Sequence, residues 1–179
     1  MMKIDYTALL RAGREQMSLD WDSVHGPDHW LQVASNGLLL ARETGADPVV
    51  VRLFALFHDA RRLDEWEDSE HGLRGGELAR AWRGIRYELD DHRFDLLVRA
   101  CREHTSAQSP TGDVTIDTCI DADRLDLPRV GIPPNPARLL TKPAQALARR
   151  AQEEGITLDA YRAYLHEKGI GRETDSVAI

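Results

Sequence analysis

The sequence predicts an all-α fold, a helical bundle in a single domain. Three observations carry this expectation. Runs of alternating Val, Ile and Thr, the mark of strands, are nearly absent. Apolar residues instead return at three- and four-residue spacing in segment after segment. Helix start and stop signals separate those segments at short intervals. A length of 179 residues suits one domain with a real core. The balance of 42% hydrophobic and 30% charged residues is that of a globular chain rather than a disordered one.

The first helix is expected over residues 6–17, before a loop opened by Asp20-Trp21-Asp22-Ser23. In the second, Trp30, Val33, Ala34, Gly37, Leu38 and Ala41 form one apolar stripe, and Gly45 stands where a left-handed cap ends a helix. Asp47-Pro48 opens the third, with the carboxylate as cap and proline in the first turn. That helix runs through Val49-Val50-Val51-Arg52-Leu53-Phe54-Ala55-Leu56-Phe57 to His58-Asp59. After a charged loop at 61–69, a helix is expected from Glu70 or His71 to Trp82. Another covers about 90–104, with Phe94, Leu97, Val98 and Cys101 inward. Pro110 and Gly112 then break the pattern before a helix at 115–125, which ends in Asp126-Leu127-Pro128. Residues 130–143 are Pro-rich and are expected to form an ordered surface loop, a candidate cover for a site. Helices at 144–154 and 158–168 close the fold, and 171–179 is expected to fray.

Charge and cysteine content exclude several classes. With 23 Lys and Arg against 30 Asp and Glu, the net charge of −7 gives no general attraction to duplex nucleic acid or anionic lipid. No apolar stretch reaches the length of a membrane span, and Met1-Met2-Lys3-Ile4-Asp5 lacks a signal-peptide core, so a cytoplasmic location is expected. Cys101 and Cys119 make neither a disulfide framework nor a paired zinc motif. A small anionic substrate stays open, provided cations are concentrated locally.

The functional signal is His58-Asp59 at the inner end of the most apolar helix. Burying both groups without partners costs about 2–7 kcal/mol for each, and a divalent metal is the best compensation. Further ligands are on hand in His29, His71, His104 and the Asp121-Ala122-Asp123 stretch. Imidazole and carboxylate without thiolate favour Fe, Mn, Ni or Co, with Mg or Zn as alternatives. Asp121 and Asp123 lie two apart on a helix and point different ways, so one of them completes the set.

These residues carry a resemblance. His29-Trp30-Leu31-Gln32-Val33, His58-Asp59 and Ala122-Asp123-Arg124-Leu125 are similar to the three core motifs of the HD-domain superfamily. The likeness implies an HD-type bundle with a metal-dependent phosphohydrolase site between helices, and it favours Asp123 beside His29, His58 and Asp59 on a first metal. His71-Gly72-Leu73-Arg74-Gly75-Gly76 and Arg102-Glu103-His104-Thr105 resemble elements of the two-metal members, above all the bacterial HD-type diadenosine tetraphosphate hydrolases. That implies a second ion on His71 and His104, with Asp59 bridging. The motif core spans 25–126, and the Pro-rich loop and helices at 130–170 follow it. Thr105 after His104, with no Gly-Tyr-Pro signature, sets the chain apart from cyclic-dinucleotide phosphodiesterases. Arg61-Arg62, where stringent-response hydrolases carry an acidic pair, sets it apart from those.

The remaining polar residues have plainer alternatives. His25 reads as a loop residue or an outer donor to the site, and His92 and His166 as solvated. Arg61, Arg62, Arg74, Arg124 and Lys142 are candidates for phosphate. Guanidinium geometry selects Arg62 and Arg74 as substrate-binding, with Asp59 and Arg62 catalytic. Asp64, Glu65 and Asp68 are a candidate acid or partners of the histidines, or else a solvated acidic loop. Cys101 reads as core. The expected reaction is hydrolysis of a small phosphoester or phosphoanhydride, with a nucleotide as the expected class, by a metal-activated hydroxide. The alternatives are a non-catalytic HD sensor that binds metal and nucleotide, because no obvious acid follows His58-Asp59, and an enzyme with one ion.

Overall fold

The computed structural model describes residues 4–155. The helix expected at 158–168, the tail after it and His166 lie outside the described residues. Seven α-helices are present among them: α1 (Tyr6–Arg14), α2 (Pro27–Thr44), α3 (Pro48–Phe57), α4 (His71–Trp82), α5 (Asp91–Glu103), α6 (Val114–Arg124) and α7 (Lys142–Glu153). No strand occurs among the described residues, only an isolated bridge between Arg83 and Tyr87. No described helix is long and apolar enough to cross a membrane.

The cap chemistry sets most of these boundaries. Asp47 accepts hydrogen bonds from the Val49 and Val50 amides, and Pro48 occupies the first turn of α3. Gly45 ends α2 at φ +77°, a conformation that excludes most side chains. Asp5, Asp90, Asp113 and Thr141 cap α1, α5, α6 and α7 through side-chain oxygens. The first helix is shorter than expected. After Arg14 the chain tightens, with Gln16 N–H bonding to Gly13 O and Met17 N–H to Arg14 O.

The third helix is the centre of the bundle. It touches α1, α2, α4, α5 and α6, and Val50, Val51, Leu53, Phe54, Ala55, Leu56 and Phe57 are all buried. That all-round burial explains its unbroken apolar sequence. Trp30 from α2, Leu97 from α5, Ile116 and Ile120 from α6, and Tyr87 pack into the same core. A smaller cluster of Leu40, Leu125, Leu139, Ala144 and Ala148 seats α7.

The fourth helix lies against its neighbours backbone to backbone. A Cβ on Gly72 would stand 2.1 Å from Cys101 O, and one on Gly75 2.2 Å from Phe57 O. These glycines let α4 reach both α5 and the end of α3, which brings His71 to the site. The Pro-rich segment contains a short 3-10 turn at Pro136–Arg138 and docks on α6 and α7. Asp121 accepts from Leu140 N–H, Thr141 N–H and Thr141 Oγ1, Arg124 donates to Arg138 O, and Gln152 to Pro134 O.

Candidate metal centre

Four helices deliver the histidines of the site, and a fifth, α6, delivers Asp123. His29 sits in the first turn of α2, His58 just past α3, His71 at the start of α4 and His104 just past α5. All four are buried, as is Asp59, while Asp123 near the end of α6 is half-buried.

The ring orientations are fixed from behind. His58 Nδ1 lies 3.0 Å from Ala55 O and His104 Nδ1 2.7 Å from Cys101 O, and His71 Nδ1 meets Asp68 O. A carbonyl oxygen only accepts, so each Nδ1 carries the hydrogen and each Nε2 presents a lone pair. His29 Nδ1 donates in the same manner to Asp126 Oδ2 at 2.8 Å.

The free nitrogens meet in two pairs. His29 Nε2 and His58 Nε2 are 3.1 Å apart, and His71 Nε2 and His104 Nε2 are 2.9 Å apart. Asp59 stands between the pairs. Its Oδ2 is 3.6 Å from His29 Nε2 and 3.7 Å from His58 Nε2, whereas Oδ1 is 3.2 Å from His71 Nε2. Asp123 Oδ1 joins the first pair at 3.3 and 3.9 Å. The ligand atoms of His29, His58 and Asp123 lie within 4.8 Å of one another, as do those of Asp59, His71 and His104.

These residues fit a divalent cation. Two neighbouring ligand atoms at right angles, each about 2.1 Å from one ion, stand about 3 Å apart, which is the spacing of both nitrogen pairs. Asp59 Oδ1 is buried with no hydrogen-bond partner, a cost that a cation removes. The donor set is nitrogen and oxygen only. Cys101 and Cys119 lie in the core, where burial pushes both thiols up.

The electrostatics divide the two groups. Burial lowers the His58 pKa to about 3 against the pull of Asp59 and Asp123, so this ring stays neutral. Burial also acts to lower His29, but its hydrogen bonds to Asp123 and Asp126 outweigh it, and its pKa is raised. A proton on His29 therefore relieves the first group when no ion does. Burial lowers His71 despite Asp59, with His104 and Arg62 adding to the effect. Burial acts to raise Asp59 and Asp123. The surrounding histidines outweigh it, and both carboxyls fall below their ordinary range.

The loop at 61–69 borders the second group. Arg62 Nη1 lies 3.2 Å from His71 Nε2 and 3.7 Å from Asp59 Oδ1. The Arg74 guanidinium instead pairs with the Asp68 carboxylate and donates to Arg61 O. Asp68 thus meets His71 through its backbone and spends its carboxylate on Arg74 and Leu63 N–H. Asp64 is exposed and caps Trp66 and Glu67. Of the other cations, Arg124 donates to Arg138 O and Ala107 O, while Arg61 and Lys142 face solvent. His92 is exposed.

The structure thus brings together His29, His58, Asp59, His71, His104 and Asp123, with Arg62 beside them. Asp121 points away to Thr141, where burial raises its pKa against the hydrogen bonds that Leu140 and Thr141 donate. Two contributors were missed or under-read. Asp126 reads as a helix end in the sequence, yet it lies three residues after Asp123 and orients His29. It sits in the turn just past α6, so its closeness in sequence to Asp123 is the signal that points to it. His25 reads as a loop residue or an outer donor to the site, and its Nδ1 is 2.9 Å from Asp59 Oδ2, close enough also to join His29 and Asp59 in a third candidate ligand group.

No protein-family model matches the chain, and no curated protein matches it. Among solved structures, it is similar to the crystal structure of a predicted HD superfamily hydrolase from an uncultured Thermotogales bacterium. The match has 24% identity and a TM-score of 0.66, and it covers 91% of this chain and 92% of that one. The two proteins share a fold over nearly their whole length.

Proposed function

We propose that this chain is a metal-dependent phosphohydrolase of the HD type, acting on a small phosphoester or phosphoanhydride, with a nucleotide as the expected class. The observation that carries the reading is Asp59, whose two oxygens face two separate pairs of imidazole nitrogens. His29, His58, Asp59 and Asp123 would hold one divalent cation, and Asp59, His71 and His104 a second. Fe, Mn, Ni or Co suits this donor set, with Mg or Zn as alternatives. Such a cation lowers the pKa of its water and offsets charge on phosphoryl oxygens.

The chain's own residues do the rest. Carbonyls of Ala55, Asp68 and Cys101 and the Asp126 carboxylate fix which nitrogen of each ring faces inward. Arg62 places a guanidinium at the rim of the second group, where it would bind a phosphoryl oxygen. Arg74, through Asp68, holds the loop that carries Arg62, and would reach the substrate after exchanging that partner. The reading is of a cytoplasmic, single-domain enzyme with no duplex nucleic acid and no membrane partner.

A one-ion variant is favoured by the same Arg62. Its Nη1 lies within hydrogen-bond distance of His71 Nε2, where it acts as a built-in cation at the second group. A phosphatase screen with Mn, Fe, Co, Ni and Mg tests the proposal. Metal-dependent phosphate release, lost in Asp59→Ala, supports it. Metal and nucleotide binding without turnover makes the chain a sensor instead.

A further inference from the structure

We propose that Trp66 is a specificity-determining residue, stacking on the base of a nucleoside phosphate whose phosphate lies at the Arg62 and Asp59 end of the same loop. The proposal rests on the phosphohydrolase reading above and narrows its substrate class.

Trp66 is 83% exposed, the most exposed large hydrophobic residue among the described residues. Leu63, three residues earlier in the same loop, is exposed too, so this loop leaves two large apolar side chains in water beside a polar site. Nor is Trp66 on a loose tip. Asp64 Oδ1 accepts from Trp66 N–H at 2.7 Å and Glu67 N–H at 2.8 Å, and Asp68 Oδ2 accepts from Leu63 N–H at 2.7 Å. Arg74 fastens Asp68 from α4, and Arg62 Nε donates to Asp64 O at 2.9 Å. The loop is tied at both ends, so its backbone pays little ordering cost when the indole is engaged.

Its distance from the chemistry is short. The Glu65 carbonyl, which precedes Trp66, lies 3.2 Å from His25 Nε2, and the other nitrogen of that ring is 2.9 Å from Asp59 Oδ2. One imidazole ring therefore separates the backbone at Trp66 from the carboxylate at the centre of the site. Four residues earlier the same loop supplies Arg62, so a cation and a flat π-face are carried by one hydrogen-bonded loop. A nucleoside phosphate presents the matching pair, an anion and an aromatic face one sugar apart. Stacking on indole accepts any base, so discrimination lies between phosphates with and without a base.

The experiment uses the metal-loaded full chain with adenosine and guanosine 5′-phosphates and, as base-free probes, ribose 5-phosphate and inorganic triphosphate. W66A should raise KM for the nucleotides by about 5- to 100-fold relative to the base-free probes, the range of one base–aromatic stack. W66F should recover most of that difference, and I85A, an exposed apolar truncation elsewhere, should change nothing. Nucleotide should also quench tryptophan fluorescence in wild type and fail to do so in W66F. Quenching without turnover leaves the platform standing and removes the hydrolase reading. Turnover with an unchanged KM ratio in W66A overturns the platform and leaves the hydrolase. Neither quenching nor turnover overturns both.

Discussion

Asp59 Oδ1 lies 3.2 Å from His71 Nε2, buried and without a hydrogen-bond donor, while Oδ2 of the same carboxylate faces His29 and His58. One side chain thus joins two groups of lone pairs that repel each other unless something positive lies among them.

Asp126 holds His29 from behind, and removing it frees the ring to rotate. Asp126→Ala should weaken metal binding or activity by about 10- to 100-fold, the usual cost of losing a group that orients a metal-binding histidine. Titration of the apo protein with Mn or Co checks this. Unchanged affinity would remove Asp126 from the account.

The raised His29 pKa makes protons and metal compete for Nε2. The sign follows directly: the ring keeps its proton to a higher pH than usual, so first-site affinity falls as pH drops below that raised value. The fall should approach about tenfold per pH unit, as for one competing proton. His58, with its pKa at about 3, is already neutral and releases none. Calorimetry in buffers of different ionisation enthalpy should therefore count a release that approaches one proton from His29, His58, Asp59 and Asp123 together as the pH is set below the raised His29 value, and that vanishes above it.

Arg62 sits where a second cation would be repelled and a phosphoryl oxygen attracted. Arg62→Met should tighten metal binding at the His71 and His104 pair and lower kcat/KM by about 10- to 100-fold, the worth of a charged hydrogen bond. Steady-state kinetics beside a metal titration separates the two effects. A loss in both together would mean that Arg62 only supports the loop.

Gly75 links the fold to the site. Its missing Cβ leaves room for Phe57 O, which a methyl group would meet at 2.2 Å. Gly75→Ala should destabilise the protein by about 1–3 kcal/mol or more through overpacking, and it should weaken the second group as α4 and His71 are pushed outward. Thermal denaturation and metal content read the two consequences.

The order of elements was legible because caps and periodicity are local. Asp47-Pro48, Gly45 and the unbroken apolar run of α3 each state their role within a few residues. His58 and Asp59 are also visible, since polar residues at the end of an apolar helix stand out, whereas the choice of Asp123 over Asp121 and the pairing of His71 with His104 come from the family resemblance. What stayed hidden is long-range or carried by the backbone. Nothing in the residue types says that the carbonyls of Ala55, Asp68 and Cys101 turn the rings. Asp126 is hidden because it looks like a helix end, and His25 stays open between loop residue and outer donor because a loop histidine has no periodicity to judge it by. The Asp68 carboxylate reads as a candidate acid, a partner of the histidines or part of a solvated loop, and in the structure Arg74 takes it up.

The most direct measurement is the metal content of anaerobically purified protein, in wild type and in Asp59→Ala. The account predicts one to two transition-metal ions per chain in wild type and a loss of both in the variant. Wild-type protein that takes up no ion when offered Fe, Mn, Ni or Co, or an Asp59→Ala variant that holds as much as wild type, would contradict it.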